Sequence, residues 1–385
     1  MTAVGYDDML GYKFLGLHKF VIHWAGVRTD ISSGNDPIRV KMARCLGIFF
    51  ALITGFQASA ATLAAYDRMM EKDYEVVSIV IAFVSLAVSA LSKYQILITK
   101  SDSMHRLGVW LINVKKARGD AKLLGIESLA IRVGRSLYFT VLLTSFVWAV
   151  GPAVNNFTPF YPSRVPHLDD ELVATIAYPY VQVPTYLFLS TIIVYCVSSV
   201  VHVMGVFCAE VRRLGNRWSD VVYDEKNPEQ FMTVMKECVN RHEKLLDVMD
   251  DLCTVFDPMF GFQILFFIAH FCAFNFCLLK TTGFEAIAPL MPLIFMSMLE
   301  FGFLCYVGEE ITDAFEQFYR AIYNTNWYES RVSDKKSMVF VLEFFKKRRN
   351  LTGATVVTAS LSSFVEALRQ AFSLYTLMEA LTANE

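Results

Sequence analysis

The chain of 385 residues carries a net charge of -2, with 55% hydrophobic residues, only 19% charged residues and a mean hydropathy of +0.40. So few polar groups cannot cover that much apolar surface, so much of it must face lipid. An ordinary soluble enzyme is excluded, and no nucleotide-binding, hydrolase or phosphate-cradling motif appears along the chain.

Residues 1–44 place Asp7, Asp8, Lys13 and Lys19 among short apolar patches, without the long apolar run and cleavage site of a signal peptide. The first span is therefore expected to act as its own insertion signal. A bilayer core about 30 Å thick needs ~20 mostly apolar helical residues. Residues 45–63 read as span one, and residues 76–92, between Glu75 and Lys93, as span two. Spans three and four follow at 137–154 and 180–206, and spans five and six at 260–279 and 287–307, the last interrupted by Glu300. Residues 361–378 form an amphipathic seventh segment whose Glu366 and Arg369, one turn apart, are spaced to pair or to face water. In segments 207–259 and 308–350, apolar residues recur at helical spacing over 231–249, 311–323 and 337–345. Spans four, five and six are thus expected to continue as helices beyond the membrane.

Lys and Arg collect in cytoplasmic segments of helical membrane proteins. Before span one lie Lys13, Lys19, Arg28, Arg39, Lys41 and Arg44; between spans two and three lie nine more, from Lys93 to Arg135. The segment after span six ends in Lys346, Lys347, Arg348 and Arg349, whereas the alternate loops hold only Arg68 with Lys72, then Arg164, then Lys280. This asymmetry predicts a multi-pass plasma-membrane protein with its N-terminus inside and its C-terminus outside. That orientation is opposite to a G-protein-coupled receptor, and neither Asp-Arg-Tyr after span three nor Asn-Pro-x-x-Tyr in the last span is present. A secondary transporter would show repeated halves and broken helices, which the chain lacks. Asn156-Phe157-Thr158, in the outer loop after span three, is a glycosylation candidate. None of the eight cysteines falls in an outer loop, so no loop disulfide is expected. His202 and His270 are isolated within spans, and no metal or other cofactor is expected.

A set of short motifs is more specific. Cys238-Val239, His242 and Leu245-Leu246 precede span five; Gly308-Glu309, Ala321-Ile322-Tyr323, Trp327-Tyr328 and Lys335-Lys336 follow span six. Leu351-Thr352-Gly353, Leu361-Ser362, Phe364 and Phe372-Ser373-Leu374-Tyr375 close the series. In this order and spacing the chain resembles the insect odorant receptor family, with a gustatory receptor of the same superfamily as the nearest alternative. The resemblance implies an all-α membrane protein of seven transmembrane helices, forming a ligand-gated, non-selective channel for monovalent and divalent cations. It implies a tuning subunit that joins an odorant co-receptor in a heterotetramer in a sensory-neuron membrane, with no enzymatic activity and no nucleic-acid partner. By the same resemblance, residues 207–259 and 308–350 form a cytosolic anchor around spans five and six (260–307). His242, Gly308, Glu309, Tyr323, Trp327 and Tyr328 would serve there in anchoring or gating coupling. Residues 351–385 would supply the pore-lining helix and extracellular end.

On that last helix Ser373, Leu377 and Leu381 share a face, bordered by Thr376 and Ala380. A ring of leucines makes a dry constriction that blocks ions until it widens; alignment with the family's gate points to Leu377 and Leu381, and packing between helices is the alternative. A site for a small, volatile, mostly apolar ligand should be a buried aromatic and aliphatic cavity with few polar groups. The family places it in the outer half of residues 45–206 and span six. The candidates there are Ile79, Phe83, Val141, Thr144, Ser145, Trp148, Tyr186, Ser190, Phe295, Met298 and Glu300, with core packing the alternative for each. Glu300 stands out, nine residues before Glu309 and so roughly 13 Å deeper. It would either meet a ligand N–H as a protonated acid or hydrogen-bond a neighbouring helix, for example at a Ser or Tyr.

Overall fold

A computed structural model describes residues 37–71, 73–118, 132, 136, 139–140, 181–225, 228–280, 290–346, 350–353 and 357–383. Among them are eight α-helices: α1 (Pro37–Met70), α2 (Tyr74–Thr99), α3 (Ser101–Arg118), α4 (Val183–Ser219), α5 (Pro228–Lys280), α6 (Leu290–Tyr323), α7 (Val332–Lys346) and α8 (Leu361–Ala383). The only strands among the described residues are β1 (Thr352–Gly353) and β2 (Val357–Thr358), an antiparallel pair in the register Thr352↔Thr358, Gly353↔Val357.

Helix lengths separate a membrane portion from an extension. α5 spans 53 residues, ~80 Å at the helical rise, against a hydrocarbon core of about 30 Å. α4 and α6, with 37 and 34 residues, also overshoot it, so the continuous helices expected beyond spans four, five and six are present. Four helical stretches are long and apolar enough to cross a membrane among the described residues: Gly47–Met70, Ile79–Thr99, Val183–Ser219 and Glu229–Phe276. α1 exposes Phe49, Leu52, Phe56 and Leu63 on its outer side, a surface that suits lipid and not water. α4 instead is enclosed along most of its length by α1, α2, α5 and α6, and its Val- and Ile-rich sequence forms the centre of a single buried cluster.

Beyond the apolar stretches, ion pairs pin the helices. Arg212 of α4 reaches Glu310 (2.7 Å) and Asp313 (3.1 Å) of α6, and Arg106 of α3 takes Asp251 of α5 bidentately. The α4–α6 seam is tight because Gly215 lies where an added Cβ would stand 3.3 Å from the Phe318 Cα.

The short β-hairpin launches the last helix. Asp257 of α5, just before Pro258, accepts hydrogen bonds from the Thr352 backbone N–H (2.8 Å) and hydroxyl (3.3 Å). Gly353 packs its backbone on Gly261, with a hypothetical Cβ only 3.1 Å from the Gly261 Cα. Ser360 then caps α8: its hydroxyl accepts from the Ser363 N–H at 3.2 Å, while Glu309 of α6 accepts from the Leu361 N–H at 3.3 Å. Gly308 is where the hairpin touches α6, since a Cβ there would fall 2.3 Å from the Ala359 carbonyl oxygen. A backbone atom cannot retreat as a flexible side chain can. Gly308→Val is therefore expected to displace the hairpin, at a cost of about 1–3 kcal/mol or more, and to lower the thermal stability of the purified protein. An unchanged melting temperature would show that the hairpin yields freely.

Candidate functional site

Span two read from the sequence ends at Lys93, but α2 continues to Thr99, and Lys93 does not belong with the exposed basic residues. It is 2% exposed inside the bundle. Its ammonium lies 2.9 Å from Glu300 Oε1 of α6 and donates to Gln263 Oε1 of α5 and to Ser89 Oγ, each at 2.6 Å. Gln263 Nε2 donates in turn to Glu300 Oε2 at 3.1 Å. The ammonium thus has two hydrogen-bond acceptors and a carboxylate beside it, and the carboxylate meets side chains of two helices, as an ion pair at Oε1 and a hydrogen bond at Oε2. The pairing is needed, because burying either ion unpaired costs several kcal/mol.

The structure distributes the other ligand candidates unevenly. Phe83 and Tyr186 are buried in the central cluster, Ser190 is buried on α4 one turn after Tyr186, and Ile79 and Met298 pack against the cluster half-buried. Phe295 is not brought to them: it is 54% exposed on the outer side of α6. Val141, Thr144, Ser145 and Trp148 lie outside the described residues, as does Asn156. The hydroxyls of Thr185 and Ser198 on α4 and of Ser297 on α6 are buried without a protein partner among the described residues. Few polar groups in an apolar interior is the character of a site for a small apolar ligand bearing one or two polar atoms.

Lys93, Gln263 and Ser89 were not among the residues singled out from the sequence. A signal was available: residues 94–99 are uncharged and mostly apolar, so the apolar pattern resumes after Lys93, at a position four residues from Ser89 on the same helix face.

Glu300 is followed by Phe301, which is fully buried and stands at the centre of an aromatic group. Its ring lies 4.7 Å from Phe267, 5.8 Å from Phe260 and 5.6 Å from Phe364 of α8, and Phe364 also meets Phe267 at 5.7 Å. On α8 itself, Ser373, Thr376, Leu377 and Ala380 are exposed in the single chain, and the Leu381 side chain lies outside the described residues. Glu366 and Arg369, both exposed, stand 3.7 Å apart.

In the helical extension His242 is 1% exposed, stacked on Phe318 at 5.1 Å and edge-on to Phe345 at 4.4 Å. Burial pushes its pKa down from 6.5 to about 4, so it packs as a neutral ring at physiological pH. Trp327 is half-buried and donates its indole N–H to the Tyr323 carbonyl (3.2 Å), whereas Tyr323 and Tyr328 are exposed. Among the described residues no cluster of three His, Cys, Asp or Glu is placed to hold a metal.

The family model described as 7tm Odorant receptor matches residues 127–372. This chain belongs to the insect odorant receptor family. The receptor is 25% identical to Odorant receptor 23a of Drosophila melanogaster over 165 residues, 42% of this chain and 43% of that protein. It is 22% identical to Odorant receptor 85b of the same species over 162 residues, 41% of this chain and 40% of that one. The matched stretches thus span about two fifths of those relatives' lengths. Among solved structures, the olfactory receptor OR5 of Machilis hrabei has a TM-score of 0.74 to this receptor at 14% identity, covering 95% of this chain and 98% of that one. The same receptor in complex with eugenol gives 0.73 at 15% identity, with coverage of 96% and 99%. At these identities the likeness establishes the fold.

Removing one member of the buried pair should be far worse than removing both. Lys93→Met or Glu300→Leu alone is expected to cost about 3–5 kcal/mol, and the double variant much less. Thermal unfolding of the four purified proteins reads this directly, and additive losses would contradict mutual neutralisation.

Proposed function

We propose that this receptor is the odorant-tuning subunit of a ligand-gated, non-selective cation channel, assembled as a heterotetramer with an odorant co-receptor in the sensory-neuron plasma membrane. In this reading the N-terminus is cytosolic and the C-terminus extracellular. The ligand is a small, volatile, mostly apolar molecule held among Phe83, Tyr186, Ser190 and their neighbours, with the Lys93–Glu300 pair as a charged floor. The chain has no enzymatic role. Odorant binding is supported by family membership and by the eugenol complex of a protein with the same fold.

The observation that carries the channel reading is the adjacency of Glu300 and Phe301 on one turn of α6. Glu300 is part of the bundle interior through Lys93, and Phe301 touches Phe364 of α8. A ligand that shifts α6 against α2 thereby moves the ring against which the last helix packs. α8, with 23 residues, is long enough to span the bilayer core, and its exposed Leu377 and Ser373 supply the apolar and polar surfaces of a gated pore. Leu381, one turn on, extends the same face.

Whole-cell recording from cells expressing this chain with and without an odorant co-receptor, with G-protein signalling blocked, tests the proposal against a panel of volatiles. A rapid cation current needing both subunits is expected; a response abolished by the G-protein block would overturn it. Phe364→Ala is expected to leave surface expression intact while shifting the half-maximal ligand concentration about tenfold or reducing maximal current. Unchanged dose–response curves would remove this contact from the coupling path.

A further inference from the structure

Residues 183–209 of α4 contain no Asp, Glu, Lys or Arg. At ~1.5 Å per residue that uncharged stretch is already longer than the hydrocarbon core. Immediately beyond it, α3, α4 and α5 line a half-open cavity of about 220 Å³. Four cations line it, Arg213 and Arg217 from α4 and Arg241 and Lys244 from α5, with Trp110 of α3 and a single carboxylate, Glu210. Arg217 and Arg241 both hold Glu237, at 2.7 and 2.8 Å. Arg213 and Lys244 make no ion pair among the described residues. The cavity therefore carries an excess of positive charge even after Glu210 and Glu237 are set against it.

Basic residues in cytosolic segments often serve only to orient a membrane protein, but orientation does not require them to converge from two helices on one concavity. Convergent guanidinium and ammonium groups around a hollow form a receptor for an oxyanion with several acceptor oxygens. Depth points to its source. Glu210 is the first charged residue after the apolar stretch and Arg217 lies seven residues further, ~10 Å along the helix. That distance is within reach of a lipid headgroup, and a half-buried indole in the lining suits the membrane–water boundary.

We infer that this cavity binds the phosphorylated inositol headgroup of an anionic inner-leaflet lipid, clamping α4 to α5 where the two helices leave the bilayer. The inference rests on the proposed orientation, which sets the charged end of α4 in the cytosol. Bound there, the lipid would bridge the Arg213 and Arg241 sides of the hollow and stiffen the extension that carries His242.

The test is equilibrium binding of a fluorescent phosphatidylinositol bisphosphate to the full-length protein purified in detergent, competed by phosphatidylcholine vesicles with and without the unlabelled lipid and by soluble inositol trisphosphate. Saturable binding is expected, displaced by the lipid-bearing vesicles. R213Q/K244Q should bind about tenfold more weakly, and the charge-retaining R213K/K244R about as well as the native protein. Thermal unfolding of both variants should match the native protein, because neither side chain is buried. No saturable binding, or equal binding by R213Q/K244Q, overturns the proposal. So does displacement by soluble inositol trisphosphate where lipid-bearing vesicles fail, which would make this a site for a soluble anion. The readout involves no current: loss of the channel reading leaves a positive binding result standing, and a working channel whose R213Q/K244Q variant binds normally refutes only the lipid site.

Discussion

A carboxylate and an ammonium buried in an apolar helix bundle must neutralise one another, and the register of three helices depends on that requirement. Glu300 and Lys93 are each almost wholly excluded from solvent, with Gln263 hydrogen-bonded to both and Ser89 to the ammonium. The four side chains come from α2, α5 and α6, so the network fixes the relative height of three helices. Sliding any one by a turn, ~5.4 Å, would leave a charge or an amide without its partner. Apolar packing alone specifies register weakly in a bilayer, because a leucine against lipid is nearly as well placed as a leucine against another helix.

The second constraint is the launch of the last helix. Gly308 and Gly353 each occupy a place where backbone meets backbone, and Asp257 and Glu309 take up N–H groups that the hairpin and the start of α8 would otherwise leave open. These residues carry part of the motif set by which the chain resembles its family. Gly308-Glu309 and Leu351-Thr352-Gly353 mark one junction at which α5, α6 and α8 are held together. Phe301 and Phe364 then join that junction to the charged network through ring contacts. A site within the bundle and a helix at its edge are in this way parts of one packed assembly, the kind of contiguous contact through which a small displacement is transmitted.

A charge that ends an apolar run in the sequence does not end the helix where that charge is paired, as α2 shows by running on to Thr99. Lys93 looks like a terminus because an unpaired lysine would be one; its partner, Glu300, lies 207 positions away in sequence, and linear reading cannot join them. The same limit explains Phe295. Its position on span six matches a pocket residue, but which side of a helix faces the bundle depends on where its neighbours stand, and here it faces outward. Ile79 and Phe83, and likewise Tyr186 and Ser190, stand four residues apart and so share a helical face. The alternatives for Glu300 were drawn as a ligand contact or a bond to a neighbouring Ser or Tyr; the structure brings a lysine and a glutamine instead.

The sequence by itself determined that the chain is a helical membrane protein, that three helices run on well past an apolar core of ~20 residues, and which family it belongs to. Those properties follow from local quantities: hydropathy over ~20 residues, 3.6-residue periodicity, and short motifs. Only the tertiary structure decided that Lys93 is internal, that Gly308 is a backbone contact, and that Arg213 and Lys244 line one hollow from two helices. Each depends on the distance between residues far apart in the chain, which is set by how the helices pack and not by any one segment's composition.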